Sequence, residues 1–453
     1  MHRILIAVHN TVWGIPGLVL ILGVGIYLTW ITGFSQITLF PRAIRKFFGM
    51  LRGGGKQEGF SQFQALCTAL AATVGTGNLI GVAGAICLGG PGAIFWMWIC
   101  GVIGMATKFS EAALAVRYRI RRGGEYVGGP MYTISRGMGK KWMPLAAAYC
   151  AFGLLASLGV GNAAQVNAVV SGVNSVVTRF GGQESQKGNL LIGAILALVV
   201  GLTLLGGAAR IGRAAEKLIP VASAGYILLC AFLLIRRAEA IPAAFLSIFR
   251  GAFSPRAVTG GVLGSSFRAL SVGCSRGVFT NEAGMGTASI AHASAQVDSP
   301  GEQGLMGIIE VFLDTIVICT MTALAILASG VIIPYGRDEG GSLTTAAFTA
   351  VYGDWVSVAL ASFLCCFAFA TILGWGLYGA RCGEFLFGSR AFRWISLIQT
   401  AAILLAAVMK TETVWLLSET VNGLMAVPNL ISLAVLSPEL GRMVKTYKER
   451  HTR

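Results

Sequence analysis

Long apolar runs recur along the chain with short polar intervals between them, a spacing that predicts membrane-crossing helices of about 20 residues each. Eleven runs qualify, at about 11–32, 61–88, 92–116, 143–176, 189–206, 214–235, 258–290, 303–333, 343–379, 392–409 and 413–436. The first has a long apolar stretch and no small-residue cleavage site, so it is expected to persist as a helix rather than to be removed as a signal peptide. Two runs are interrupted. Run 61–88 is broken by Thr73-Val74-Gly75-Thr76-Gly77-Asn78, and run 258–290 by Ser271-Val272-Gly273 and again by Asn281-Glu282-Ala283-Gly284. With the first helix set aside, these are the first and sixth of ten, the pattern of a five-plus-five inverted repeat. The expected units are 1–60 (a helix and a basic cytoplasmic linker), 61–236 and 237–437 (two five-helix repeats), and 438–453 (a basic cytoplasmic tail).

Charge sets the expected orientation. Of the 35 Lys and Arg, 23 fall in one alternating set of loops and nine in the other. The excess of basic residues marks the cytoplasmic side, placing the N-terminus outside and the C-terminus inside. The same rule explains the net charge of +16 without a nucleic-acid partner. Composition agrees: 55% of residues are apolar, 12% are charged, and the mean hydropathy is +0.73. A soluble domain carries about twice that charge, so soluble-enzyme and disulfide-scaffold classes are excluded. Nine of the ten cysteines sit in apolar stretches and no C-x-x-C pair occurs, the pattern of small hydrophobes rather than metal ligands.

Broken helices supply chemistry because an unwound segment exposes peptide N–H groups and carbonyls at membrane depth. Such a segment is tolerated only where protein or a polar cavity surrounds it. The N–H side suits a carboxylate and the carbonyl side a cation. Gly75, Thr76, Gly77 and Asn78 are therefore the leading candidates. Gln165, one turn from Asn162, could hydrogen-bond a zwitterion, and Thr371 could complete an oxygen shell, with Trp375 one turn on to cap a small side chain. Lys108 and Glu111 lie near a helix end, where snorkelling or local pairing accounts for them. Arg276, Glu282, Glu310 and Asp314 are candidate gating or coupling charges, since ionisable groups in spans are costly. The four histidines read as terminal or loop residues, and neither H-E-x-x-H nor G-x-S-x-G occurs, so no enzymatic activity is expected.

Several longer motifs carry a family resemblance. Gly89-Gly90-Pro91-Gly92-Ala93-Ile94-Phe95-Trp96-Met97-Trp98, the run 104–109, and Gly128-Gly129-Pro130-Met131-Tyr132 resemble signatures of the alanine/glycine:cation symporters. So do Gly277 through Gly284, and Gly374-Trp375 followed by Tyr378-Gly379, Arg381, Cys382 and Glu384. The resemblance implies an all-α LeuT-like fold of the amino acid–polyamine–cation superfamily with one additional N-terminal helix, eleven spans in all. It implies import of alanine or glycine with Na+ across the inner membrane of a prokaryote. It places substrate at Gly75, Thr76, Gly77, Gln165, Ser271, Val272 and Gly273, substrate or a second ion at Asn78, and sodium at Ala71, Val74 and Thr371. Trp375 stays the substrate cap read from its own span. The implied partners are a small amino acid and membrane lipid. No cofactor is implied beyond the coupling ion. Coupling by H+ and an ion channel stay open as alternatives, as do substrate chirality and oligomeric state, with a monomer compatible.

Overall fold

A computed structural model describes residues 2–52, 59–254, 266–409 and 412–452. Among them, eight helices are long and apolar enough to span a bilayer. A ninth span is the pair Gln62–Thr73 and Gly77–Gly89, bent by 51° at the predicted interruption. Ser61 starts this helix with a capping box, its hydroxyl accepting from Gln64 N while the Gln64 side chain accepts from Ser61 N.

Burial sorts the helices into an inner and an outer set. The most apolar window of Gly92–Tyr118 is 83% buried, whereas that of Leu5–Ile31 is only 22% buried and that of Gln186–Leu204 only 28%. The first helix packs against the C-terminal helix Glu412–Thr452 and against Gly92–Tyr118 at the edge of the bundle. At the centre, Gly92–Tyr118 lies against Ser266–Asn281 and Pro300–Val311. Val356–Phe387 crosses both Met143–Leu158 and Ala164–Arg179.

Several predicted runs are divided differently. Run 343–379 is two helices, Gly340–Tyr352 and Val356–Phe387, separated at Gly353 with φ +80°. Run 258–290 is Ser266–Asn281 followed by Thr287–Ala293, and its residues 258–265 lie outside the described ones. The last helix continues through the predicted tail to Thr452. Two helices at the bundle's periphery, Phe40–Leu51 and Ile241–Phe253, are too short and amphipathic to register as spans. The expectation of helix alone also fails in one place. Ile120–Arg122 and Glu125–Val127 form an antiparallel hairpin with Arg121 opposite Tyr126. Gly123 and Gly124 both have positive φ, which a two-residue hairpin turn of this kind requires.

Candidate functional site

After Thr73 the chain leaves the helix through Val74 in an extended conformation and re-enters it as a π-helical turn, Gly77–Gly81. The Asn78 side chain props this break open. Its Oδ1 accepts from Gly75 N at 2.9 Å, and its Nδ2 donates to Asp314 Oδ1 at 2.7 Å. On the opposite side, Thr371 Oγ1 lies 3.0 Å from the carbonyls of both Ala71 and Phe367. A Cβ built on Gly75 would stand 2.9 Å from Thr371 Oγ1 and 3.9 Å from Gln165 Oε1. That Oε1 is buried without a hydrogen-bond partner among the described residues, while Gln165 Nε2 donates to the Val160 carbonyl at 3.2 Å. An orphaned buried acceptor costs about 1–3 kcal/mol, so it marks a place where a donor is wanted. The fold thus gathers Ala71, Gly75, Gln165 and Thr371 from three helices.

Next along the chain, Thr76 and Gly77 line a cavity of about 1170 Å³, with Asn167 and Ser171 on the facing helix, while Ala71, Gly75, Gln165 and Thr371 lie behind its wall. Its mouth lies among Arg179, Asp338 and the helix Gly340–Tyr352, the side poor in basic loops. Arg276 Nη2 faces Asp338 Oδ2 across this mouth at 3.5 Å. Asp338 sits in a connecting segment between helices, and nothing in the sequence pattern singles it out.

The second break is displaced from one of its two predicted positions. Ser271, Val272 and Gly273 lie within the unbroken helix Ser266–Asn281, away from the cavity wall. A Cβ on Gly273 would come 2.3 Å from the Ala93 carbonyl, and Val272 touches Gly89, so this small-residue stretch serves close helix packing. The chain leaves the helix instead at Glu282–Gly286, with φ +52° at Glu282, +95° at Gly284 and +75° at Gly286. Trp375 is fully buried off the cavity wall. Its Nε1 donates to Glu282 Oε1 at 3.2 Å, and its Cβ would lie 2.3 Å from a Cβ on Gly161.

The buried charges tie the two breaks together. One Glu111 oxygen accepts from Gly284 N (2.9 Å), Gly286 N (3.1 Å) and Asn429 Nδ2 (2.7 Å), satisfying amides that the second break exposes. Asp314 accepts from Asn78 on one oxygen and from Thr315 Oγ1 at 2.8 Å on the other. Asn281 in turn donates to Thr315 at 3.2 Å. A continuous hydrogen-bonded chain therefore runs from Gly75 to Asn281. Lys108 does not snorkel. It is fully buried and pairs with Glu310 at 2.9 Å. His292, expected in a loop, is buried in Thr287–Ala293, where Nε2 meets Glu310 at 2.9 Å and Nδ1 meets Gln303 at 2.7 Å. The seven-residue helix that carries it is too short to stand out from its surroundings in the sequence. Further towards the hairpin, Arg381 joins Glu384 at 2.8 Å and Glu125 at 2.6 Å. None of these clusters lines the cavity.

The sequence profile of the sodium:alanine symporter family matches residues 1–453. The chain is 40% identical over 457 residues to an uncharacterised transporter of Haemophilus influenzae, covering 99% of this chain and 97% of that one. It is 40% identical over 450 residues to the sodium/alanine symporter AgcS of Methanococcus maripaludis, covering 98% and 96%. Among solved structures it resembles MhsT in complex with L-phenylalanine, with a TM-score of 0.57 over 86% of this chain and 99% of that one. At 14% identity this likeness speaks for the LeuT-like fold alone.

Proposed function

This chain belongs to the sodium:alanine symporter family, and from that premise we propose that it imports small neutral amino acids, alanine and glycine, with Na+ by alternating access. The carrying observation is the first helix break, where Gly75 meets the Thr371 hydroxyl and the orphaned Gln165 carboxamide oxygen, next in the chain to Thr76 and Gly77 on the cavity wall. Sodium would take the carbonyls of Ala71 and Val74 and the hydroxyl of Thr371, drawing the first broken helix onto Val356–Phe387. The substrate carboxylate would meet the amides of Gly75, Thr76 and Gly77, and Gln165 Oε1 would accept from its ammonium group. The second break is a poorer carboxylate site, because Glu111 already occupies the amides of Gly284 and Gly286. Substrate contact by Ser271, Val272, Gly273 or Trp375 would require those residues to turn toward the cavity in another state.

The cavity opens on the side poor in basic loops, which supports an outward-facing state with the C-terminus in the cytoplasm. The two units 61–236 and 237–437 would rock about the breaks to expose the first break to the other side. Coupling follows if Na+ and amino acid each bind one state more tightly than the other. Proton coupling is the second reading. It is favoured by Glu111, Glu282 and Asp314, whose hydrogen-bond partners are all uncharged. A channel is disfavoured because the polar groups within the spans cluster at two local breaks rather than along a continuous pore. Labelled-alanine uptake into proteoliposomes, with sodium and proton gradients imposed separately and unlabelled competitors added, tests these readings. Uptake that follows the sodium gradient and is competed by glycine is the expected result. Uptake that ignores sodium would refute sodium coupling.

A further inference from the structure

A cluster of basic side chains unrelated to the cavity gathers where the chain leaves its first span. After Ile31 the backbone turns through Thr32 and Gly33, and it soon forms the amphipathic helix Phe40–Leu51. Lys448, from the far end of the last helix, reaches this corner, and its Nζ donates to the carbonyls of Gly33 at 2.9 Å and Thr32 at 3.2 Å. Two adjoining clefts share Lys448. One, of about 340 Å³, is lined by Arg42 and Arg45 beside Thr38 and Leu39. The other, of about 730 Å³, adds Lys445 and Glu449. Four cationic side chains thus meet one carboxylate. Beside the clefts, Glu302 pairs with Lys46 and accepts from Tyr447 Oη, and the Arg42 guanidinium lies over the Tyr447 ring at 5.8 Å, which holds it in place at the cleft.

The surroundings are apolar and uncovered. Trp30 is 74% exposed, Ile37 61% and Phe34 44%. In a bilayer this corner stands at the end of a span, where hydrocarbon gives way to headgroups. Guanidinium groups bind phosphate oxygens through paired N–H donors, and basic pockets between helix ends recruit anionic lipid.

We propose that Arg42, Arg45 and Lys448 hold the phosphodiester headgroup of an anionic phospholipid, with Trp30, Phe34 and Ile37 alongside its acyl chains. The proposal rests on the orientation above only for naming the cytoplasmic leaflet, and lipid binding can be read whether or not alanine uptake is observed. The bound lipid would fasten the first span, the interfacial helix and the end of the last helix into one unit.

Full-length protein in detergent, titrated with phosphatidylglycerol or phosphatidylcholine and followed by native mass spectrometry, provides the test. The unmodified protein should retain phosphatidylglycerol about tenfold more tightly than phosphatidylcholine. The variant Arg42→Gln/Arg45→Gln/Lys448→Gln should lose that preference. A matched variant, Arg121→Gln/Lys140→Gln/Lys141→Gln, removes equal charge from another exposed basic loop and should keep it. Should the first variant fail to fold, Arg45→Glu alone, at an exposed position, should lower the preference about threefold or more. Equal retention of both lipids, equal loss in both triple variants, or no effect of Arg45→Glu would each overturn the assignment. Displacement of the lipid by millimolar inorganic phosphate would identify a free-anion site instead.

Discussion

Around Gly75 the spacing between helices is set by single atoms. The absence of a Cβ lets Thr371 Oγ1 sit against the backbone there, and a methyl group added at Gly75 would stand only 2.9 Å from that oxygen, too close to fit. Thr371→Ala removes the hydroxyl and leaves the Ala71 carbonyl in place. We expect it to raise the sodium concentration for half-maximal uptake about tenfold, equivalent to about 1.4 kcal/mol, with little change in alanine affinity at saturating sodium. Thr371→Ser should stay close to the parent, and an unchanged sodium dependence in the alanine variant would remove Thr371 from the ion site. Gly75→Ala should resemble Thr371→Ala, because its methyl displaces the hydroxyl. Gly77 is less confined. Its added Cβ would meet Thr280 Oγ1 at 3.4 Å, an ordinary contact, so Gly77→Ala should fold normally and lose alanine binding only if the methyl obstructs the carboxylate. Thermal unfolding alongside alanine binding separates the two effects.

Between elements, side chains rather than backbone ladders hold the two breaks. Lys108 and Glu310 join Gly92–Tyr118 to Pro300–Val311 with both charges buried. Removing one member of such a pair strands its partner, at a cost of about 3–5 kcal/mol. Lys108→Met should therefore lower the melting temperature sharply, and Lys108→Met/Glu310→Gln should recover most of the loss. An additive double variant would show that the pair is not a unit. Asp314 performs a comparable task across the relay from Asn78 to Asn281. Asp314→Leu removes the strongest acceptor of the Asn78 amide, leaving it the residue-314 carbonyl and Cys319 Sγ, and it leaves Thr315 Oγ1 without its carboxylate partner. We expect a loss of about 1 kcal/mol together with weaker alanine binding. Asp314→Asn can retain one acceptor and should fall between. Equal binding by all three proteins would uncouple the relay from the substrate site.

At the scale of the whole molecule, the cavity has a definite side, and that side can be measured in a membrane. Ser171 and Ser342 line the cavity. Cysteines placed at either position, with the partly exposed Cys365 and Cys366 replaced by Ser, should react with a membrane-impermeant thiol reagent from the side opposite the basic tail. Sodium and alanine together should slow the reaction if they favour closure. Reaction only from the C-terminal side would reverse the orientation.

The membrane class, most of the spans and the first helix break are legible in residue pattern, whereas the meeting of Thr371 with that break is implied only by the family resemblance. Hydrophobic length and glycine clustering are local properties, and the bilayer leaves a chain few alternatives to helix. Local pattern does not choose between Ser271-Val272-Gly273 and Glu282–Gly286 as the second break. Small residues permit either unwinding or close packing, and only the neighbouring Ala93 carbonyl decides between them. For the same reason Trp375 reads as a pocket cap in the sequence, although Glu282 and Gly161 draw it into the interior. His292, Asp338 and the hydrogen bonds of Glu111 are invisible to such pattern because each takes its meaning from a residue far away in the chain. Residue order alone settles which segments enter the membrane and where one of them must open. Packing in three dimensions settles which buried polar groups meet, because a charge at that depth persists only beside partners that the rest of the fold delivers.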